Sequence, residues 1–379
     1  MPHKNNNSYF LALITAALLL SLLAVTASSE HPTKSRTVSA KSAVLYEPES
    51  GRFLYSKNAF QRLPMASTTK IMTALVAAEN SALSETVVIP PEAEGVEGSS
   101  AYLKAGEEFT MEELLYALLL RSANDAAVAI ACHISGSVEA FAEAMNERAF
   151  SLGLTDTNFT NPHGLDDPEH YTTAHDLALI AAEAMSCDLV REICSTYKRG
   201  FVHDDAPILY VNHNKLLKSY DGAIGVKTGY TKKSGRCLVG AAERDGLTFI
   251  TVTLDAPDDW RDHEALFDLG FSALEKITLL SAGDHRYSLP VLDGVQDTVE
   301  VENITDDAII LERGEHDVKE YVKLAKFATA PIKAGDIFGE IIFTLDGEVV
   351  SRVKLVATED VERIKDKNFL KKLIESLGF

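Results

Sequence analysis

Positive charge is scarce in this chain of 379 residues. Its 36 lysines and arginines stand against 56 acidic residues, a formal net charge of −20. Such a surface repels phosphate backbones, which excludes nucleic acid as a partner; any anionic substrate must be held by a few local cations. Cysteine is scarce too. Cys132, Cys187, Cys194 and Cys237 lie far apart with no CxxC pair, so no disulfide framework is written into the sequence and buried free thiols are the expected state. Cys187 and Cys194 are the nearest pair, should export lead to oxidation. Long apolar runs are also missing. The longest uncharged one, Phe10 to Val25, has 16 residues, short of the roughly 20 a membrane-spanning helix needs. No internal repeat or low-complexity segment is present.

The two ends differ from the middle. Lys4 precedes the Phe10–Val25 run and the small residues of "TASSE" follow it, the layout of a secretory signal over residues 1–29 with cleavage after Ala27 or Ser29. The chain is therefore expected outside the cytoplasm. From Arg363 to Phe379, five basic residues outnumber Asp366 and Glu375, and Phe369, Leu370, Leu373, Ile374 and Leu377 recur at helical spacing. An amphipathic helix over 358–379 is expected, its basic face suited to a membrane surface.

Between the ends, 46% hydrophobic content is enough for one large core and a second, smaller one. Helical periodicity predicts helices at 67–80, at 111–134 with a break near Ser122, at 137–152 and at 173–186. Strands are predicted around "SAVLYEPESGRFLYS" and in "RCLVGAAERDGLTFITVTL", the latter a hairpin turning at Asp245-Gly246. The stretch "DWRDHEALFDLGFSAL" reads as a helix packing back on that sheet. Strands at both ends with helices between predict an α+β domain over 30–281 whose sheet joins the two ends. Alternating β-branched segments and Asp346-Gly347 predict a small all-β domain over 282–357.

Three Ser-x-x-Lys matches occur: Ser67/Lys70, Ser195/Lys198 and Ser351/Lys354. Ser351 lies in a strand pattern, where positions i and i+3 face opposite ways, and Ser195 ends a helix. Only Ser67 opens a helix, where i and i+3 share a face and the N-terminus favours negative charge on the oxygen. Burial of Lys70 and a second cation nearby would lower its pKa and make it a base; alone, Ser67 reads more often as a helix cap than as a nucleophile. Ser122-Ala123-Asn124 stands at the break between two apolar helical stretches. Lys227-Thr228-Gly229, the only such tripeptide in the chain, leads into the hairpin. Its lysine and threonine can hold a carboxylate, and its glycine lets another group approach the strand.

S-x-x-K, S-x-N and K-T-G in this order resemble the penicillin-binding proteins and serine β-lactamases. The flanking "RSANDAA", "NPHGLDDPEHYTTAHDLA", "VKTGYT" and "GRCLVGAAERDG" are similar to the low-molecular-weight D-alanyl-D-alanine carboxypeptidases over about 36–280. The resemblance implies an α+β fold of the β-lactamase/transpeptidase type, followed by the all-β domain and the tail helix. It implies acylation of Ser67 by a stem peptide ending in D-Ala-D-Ala, with Lys70 taking the serine proton and Ser122 relaying one to the leaving amine. Asn124 would hold the substrate amide, and Lys227 and Thr228 its free carboxylate. The backbone N–H groups of Ser67 and Tyr230, beside Gly229, would form the oxyanion hole. The family also uses an arginine beyond the hairpin, for which Arg261 is the nearest candidate. β-Lactams would inhibit covalently, and neither cofactor nor metal is implied.

The middle motif is Ser-Ala-Asn where class A β-lactamases have Ser-Asp-Asn. Their deacylating glutamate, in Glu-x-x-x-Asn, finds only Thr157 four residues before Asn161. Slow release of an acylating penicillin is expected, with deacylation left to water activated by Lys70 or Ser122. His163, His170 and His175 match no zinc spacing, and "NPHGLDD" reads as a structural turn beside the site. Two other activities stay open: DD-endopeptidase or transpeptidase chemistry with the same residues, and a non-catalytic cell-wall binding protein.

Overall fold

The protein is described from a computed structural model, over residues 38–203, 206–314 and 316–364. The expected signal segment 1–29 and tail residues 365–379 lie outside the described residues. The chain opens with β1 (Ser42–Glu47) and β2 (Arg52–Lys57). A 3-10 turn, Ala66–Thr69, runs straight into α1 (Lys70–Asn80). After a small hairpin of β3 (Thr86–Val88) and β4 (Glu108–Thr110) come α2 (Met111–Leu120), α3 (Asn124–Ser135) and α4 (Val138–Ser151). Next are α5 (Ala174–Ser186), α6 (Asp188–Ser195), the hairpin β5 (Lys198–His203) and β6 (Ala206–Val211), and a single turn α7 (Leu216–Ser219). Strands β7 (Ala223–Thr231), β8 (Gly235–Arg244), β9 (Leu247–Leu254) and helix α8 (Asp259–Ala273) complete this half.

The main sheet is antiparallel, in the order β2-β1-β9-β8-β7. Its first strand pairs with its last, Val44 opposite Val252, so the two ends of the domain close one sheet as expected. Three of the helices begin where a side chain satisfies one of their first N–H groups. Thr110 and Glu113 form a capping box at α2, while Ser137 and Thr173 accept from Ala140 and Asp176 at α4 and α5. The alternate side chains of β9 face different helices. Ile250, Val252 and Leu254 join the large helical core, whereas Thr251 and Thr253 bond the His263 ring of α8 at 2.6 and 2.9 Å. Helix α1 runs through the middle of that core, buried from Lys70 to Ala77. Burial on every side at this length requires an apolar sequence all round, broken here only by Lys70 and Thr73.

β-Structure resumes at Leu274, ahead of the boundary expected at 282. Strand β10 (Leu274–Leu280) pairs with β13 (Asp307–Glu312). Strands β11 (Arg286–Leu292), β12 (Thr298–Glu302), β14 (Val318–Leu324), β15 (Ala328–Thr329), β16 (Ile337–Leu345) and β17 (Glu348–Ala357) form a sheet in the order β14-β16-β17-β12-β11-β15. The expected tail helix does not begin at 358. The chain bends at Thr358 and Glu359 and then pairs with the β-domain, Val361 with Ile332 and Arg363 with Gly294, and Val361 is buried in the core there.

The chain's described start is tied to α8 by one buried carboxylate. Asp262 accepts from the Ser39 N–H (2.9 Å), the Ser39 hydroxyl (2.7 Å) and the Ala40 N–H (3.0 Å). Removing it strands a buried N–H, so Asp262→Ala is expected to cost about 2 to 3 kcal/mol. Urea unfolding reads this as a lower midpoint at unchanged slope; a shift below about 0.5 kcal/mol would contradict the assignment.

Candidate active site

Ser67, Ser122, Thr228, Gly229 and Tyr230 line one cleft of about 320 Å³. Three backbone features bring them together. Ala66 takes a positive φ of 49° and turns the chain so that Ser67 opens the helical run. Ser122 itself sits at φ 63°, in the left-handed region that side chains rarely occupy, and this is the expected break between α2 and α3. Strain of about 1 to 3 kcal/mol at such positions is retained where the surroundings fix the geometry. Gly229 lies so close to the nucleophile turn that a Cβ there would sit 3.0 Å from the Ser67 nitrogen. The glycine is needed for packing against Ala66 and Ser67 as well as for an approaching ligand.

Lys70 is fully buried and its Nζ has three partners. Ser67 Oγ lies at 3.0 Å, Asn124 Oδ1 at 2.6 Å and the His163 carbonyl at 2.6 Å. Burial is the largest cause holding its pKa well below the usual lysine range; the charge of Lys227 lowers it further and Asp125 opposes both. A neutral amine has two N–H donors and one lone pair. Asn124 and His163 offer acceptors only through these two oxygens, which leaves the lone pair facing the hydroxyl of Ser67.

Lys227 is the second buried amine, 2% exposed, with Nζ 3.0 Å from Ser122 Oγ and 2.8 Å from the Thr228 carbonyl. Burial brings its pKa down to about 7. Ser67 and Ser122 thus each sit against their own lysine. Asn124 is fixed on its other side by donating to the Glu97 carbonyl at 2.6 Å. Its neighbour Asp125 pins the 100–103 loop over the cleft, accepting from the Ser100 hydroxyl and from the N–H groups of Ala101 and Leu103.

The structure gives the expected turn beside the site, and its histidines, roles that the sequence did not assign. The "NPHGLDD" turn supplies the His163 carbonyl, and Gly164 is the reason it can. At φ 87°, a Cβ there would strike the Ala66 carbonyl at 1.9 Å. His170 stands behind it: its Nδ1 accepts from the Thr160 N–H, so Nε2 carries the proton toward Thr69 Oγ1 at 2.7 Å. Burial lowers its pKa to about 4. His175 instead stacks between Phe53 and Phe60. Each of the three histidines has its own structural partners, and they do not converge. Thr157, at the position of the absent glutamate, bonds Thr172 and Asp176.

Arg261 does not line the cleft. Its side chain is 84% exposed and lies near Asp258 at 3.9 Å. The adjacent Trp260 faces inward, and successive helical residues point about 100° apart. The cleft's arginine is Arg236, on β8 opposite Tyr230, held by Asp259 at 3.0 Å. Ser99, His213, Asp259 and Trp260 complete the wall.

The geometry agrees with what comparison finds. The family model of the S11 peptidases, described as D-alanyl-D-alanine carboxypeptidase, matches residues 26–258, and that of the penicillin-binding protein 5 C-terminal domain matches 274–363. The D-alanyl-D-alanine carboxypeptidase DacF of Bacillus subtilis is 35% identical over 345 residues, 88% of each chain. DacC of Escherichia coli, of the same description, is 31% identical over 374 residues, 94% of this chain and 93% of its own. The crystal structure of penicillin-binding protein 5 from Haemophilus influenzae superposes with a TM-score of 0.64 at 31% identity, covering 87% of this chain and all of that one. With matches of this extent on a site of paired serines and lysines, the chain belongs to the D-alanyl-D-alanine carboxypeptidase family of serine peptidases.

Proposed function

We propose that the enzyme removes the terminal D-alanine from peptidoglycan stem peptides through an ester on Ser67. The observation that carries this is the buried Lys70 amine, with two oxygens at 2.6 Å and Ser67 Oγ at 3.0 Å. Lys70 takes the serine proton as Oγ attacks the penultimate D-alanine carbonyl. The N–H groups of Ser67 and Tyr230 stabilise the oxyanion, each donor contributing roughly 3 to 4 kcal/mol. Ser122, held by Lys227, passes a proton to the departing amine. Lys227 and Thr228 bind the free carboxylate, Asn124 orients the substrate amide, and Lys70 activates the water that frees Ser67. A β-lactam forms the same ester, and with Thr157 where a deacylating glutamate would stand, that ester persists.

The proposed place of action is outside the cytoplasm, supported by the leader-like pattern of residues 1–29. The basic segment 365–379 is proposed to touch the membrane surface, supported by its apolar periodicity. Among the described residues no helix is long and apolar enough to cross a membrane.

Three outcomes test these proposals. Lys70→Arg, which puts a permanent cation there and cannot act as base, is expected to slow penicillin acylation at least about 100-fold by intact-mass kinetics; an undiminished rate would remove Lys70 from the base role. Lys227 must be cationic to hold a carboxylate. Below its pKa of about 7 it is charged, so kcat/KM for a pentapeptide should fall as pH rises through that region. Lys227→Arg should move this fall to higher pH, and a profile unaltered by that change would argue against the assignment. Deleting residues 365–379 should abolish co-sedimentation with anionic liposomes; equal sedimentation of both forms would dismiss the membrane contact.

A further inference from the structure

The turn that supplies the His163 carbonyl also reaches past Ser67 to β7. On the α1 side two side chains fix it: Thr73 Oγ1 donates to the Pro162 carbonyl at 2.6 Å, and Lys70 to that of His163 at 2.6 Å. Within the turn, Asn161 accepts from the Gly164 N–H at 2.7 Å and donates to the Leu165 carbonyl at 3.1 Å. Asp166 follows directly, and its carboxylate accepts from the Thr231 hydroxyl at 2.9 Å. Thr231 ends β7, immediately after Tyr230. At about 3.3 Å per residue this contact lies about 13 Å along the strand from Lys227, away from the Lys227–Ser122 pair.

The hairpin turn after β7 aims that hydroxyl. Thr231 Oγ1 accepts from the Ser234 N–H at 2.9 Å, while the Ser234 hydroxyl accepts from the Thr231 N–H at 3.0 Å and donates to the Gly235 carbonyl at 2.9 Å. A hydroxyl has one proton and an ionised carboxylate only accepts, so the Thr231 proton goes to Asp166. The contact also falls where the strand needs it. β7 is the edge strand of the main sheet, laddered to β8 alone. Gly229 packs on Ala66 and Ser67 just before Tyr230, and the Thr231–Asp166 bond holds the strand just after it. Asp166 is exposed, and a surface contact of this kind adds little to folding stability. Its effect falls on the two groups it spans, the His163 carbonyl that holds Lys70 and the Tyr230 N–H.

We infer that the Thr231–Asp166 hydrogen bond is a latch that sets the base and the oxyanion donor in register around Ser67, and so governs the rate of acylation. Asp166 and Thr231 are positioning residues, since neither touches the reacting atoms. The inference rests on the Ser67 ester reading. Misplacing a catalytic group by about 1 Å can cost about 100-fold in rate. A latch that opens leaves the donor and the carbonyl present but less well placed, so a loss of about tenfold is expected. That loss belongs to kcat, because the groups it displaces act on the transition state, while the carboxylate site at Lys227 stays as it is.

The test measures kcat and KM of the full chain on a pentapeptide, and the rate of penicillin acylation by intact mass, with the urea midpoint as the check on folding. Asp166→Ala should lower kcat and the acylation rate about tenfold at unchanged KM and unchanged midpoint. Asp166→Asn keeps the accepting oxygen and should restore both rates to within about twofold of wild type. Thr231→Val removes the donor but also strands the Ser234 N–H, so it serves as a background: there Asp166→Ala should slow acylation by no more than about twofold further. Wild-type rates in Asp166→Ala would overturn the inference while the Ser67 reading stands. So would an asparagine variant as slow as the alanine one, or a full second loss in the Thr231→Val background. A wild-type enzyme that forms no penicillin ester on Ser67 would overturn both.

Discussion

An amine shut away from solvent, with two fixed oxygens at 2.6 Å and a serine hydroxyl at 3.0 Å, is the constraint from which the rest of the site follows. Burying a lysine is costly unless it sheds its charge, and Lys70 is buried in the apolar first turns of α1. Lys227 adds electrostatic pressure in the same direction. The fold thus spends packing energy to keep a base uncharged next to its nucleophile. The second lysine, whose pKa is brought only to about 7, can still carry the charge that a carboxylate needs. Two chemically identical side chains are separated in role by their surroundings.

That arrangement depends on backbone placed with little tolerance. Ala66 and Ser122 adopt left-handed conformations on opposite walls of the cleft, and Gly164 and Gly229 allow neighbouring chain to press against the Ser67 turn. A side chain at either glycine would push away a group that bonds or flanks the nucleophile. The neutral His170 behind Thr69 supports the turn from within, its ring bridging Thr69 and Thr160. These supporting contacts hold the buried polar side chains of Lys70, Ser122, Asn124 and Lys227, each of which has a hydrogen-bond partner.

Much of this was legible in the sequence, and the reasons differ by residue. Ser67, Lys70, Ser122, Asn124 and the Lys227-Thr228-Gly229 tripeptide stand out because their types are costly in apolar stretches. The closing of the main sheet by its first and last strands followed from alternating patterns at both ends of the domain. Contacts made by backbone atoms were not legible. The His163 carbonyl contributes as much to Lys70 as Asn124 does, but a carbonyl carries no residue signature. Arg261 and Arg236 show a second limit: motif order locates a cation near the hairpin, while the direction of a side chain depends on helical phase. The tail illustrates competition between levels. Its amphipathic period is real, but Val361 is claimed by the β-domain core, so residues 358–364 are not helical.

The acidic balance of the chain gives the local cations their meaning. With a net charge of −20, attraction for an anionic peptide must come from local cations, and Lys227 stands inside the cleft with Arg236 on its wall. The account still turns on the protonation state of one amine. The 13Cε and 15Nζ shifts of Lys70 in selectively labelled protein, followed by NMR from pH 6 to 10, measure it directly. A neutral amine at pH 7, turning cationic when Asn124 and Ser67 are both replaced by aspartate, is what the account predicts. An ammonium signal persisting to pH 10 in the unaltered enzyme would contradict it.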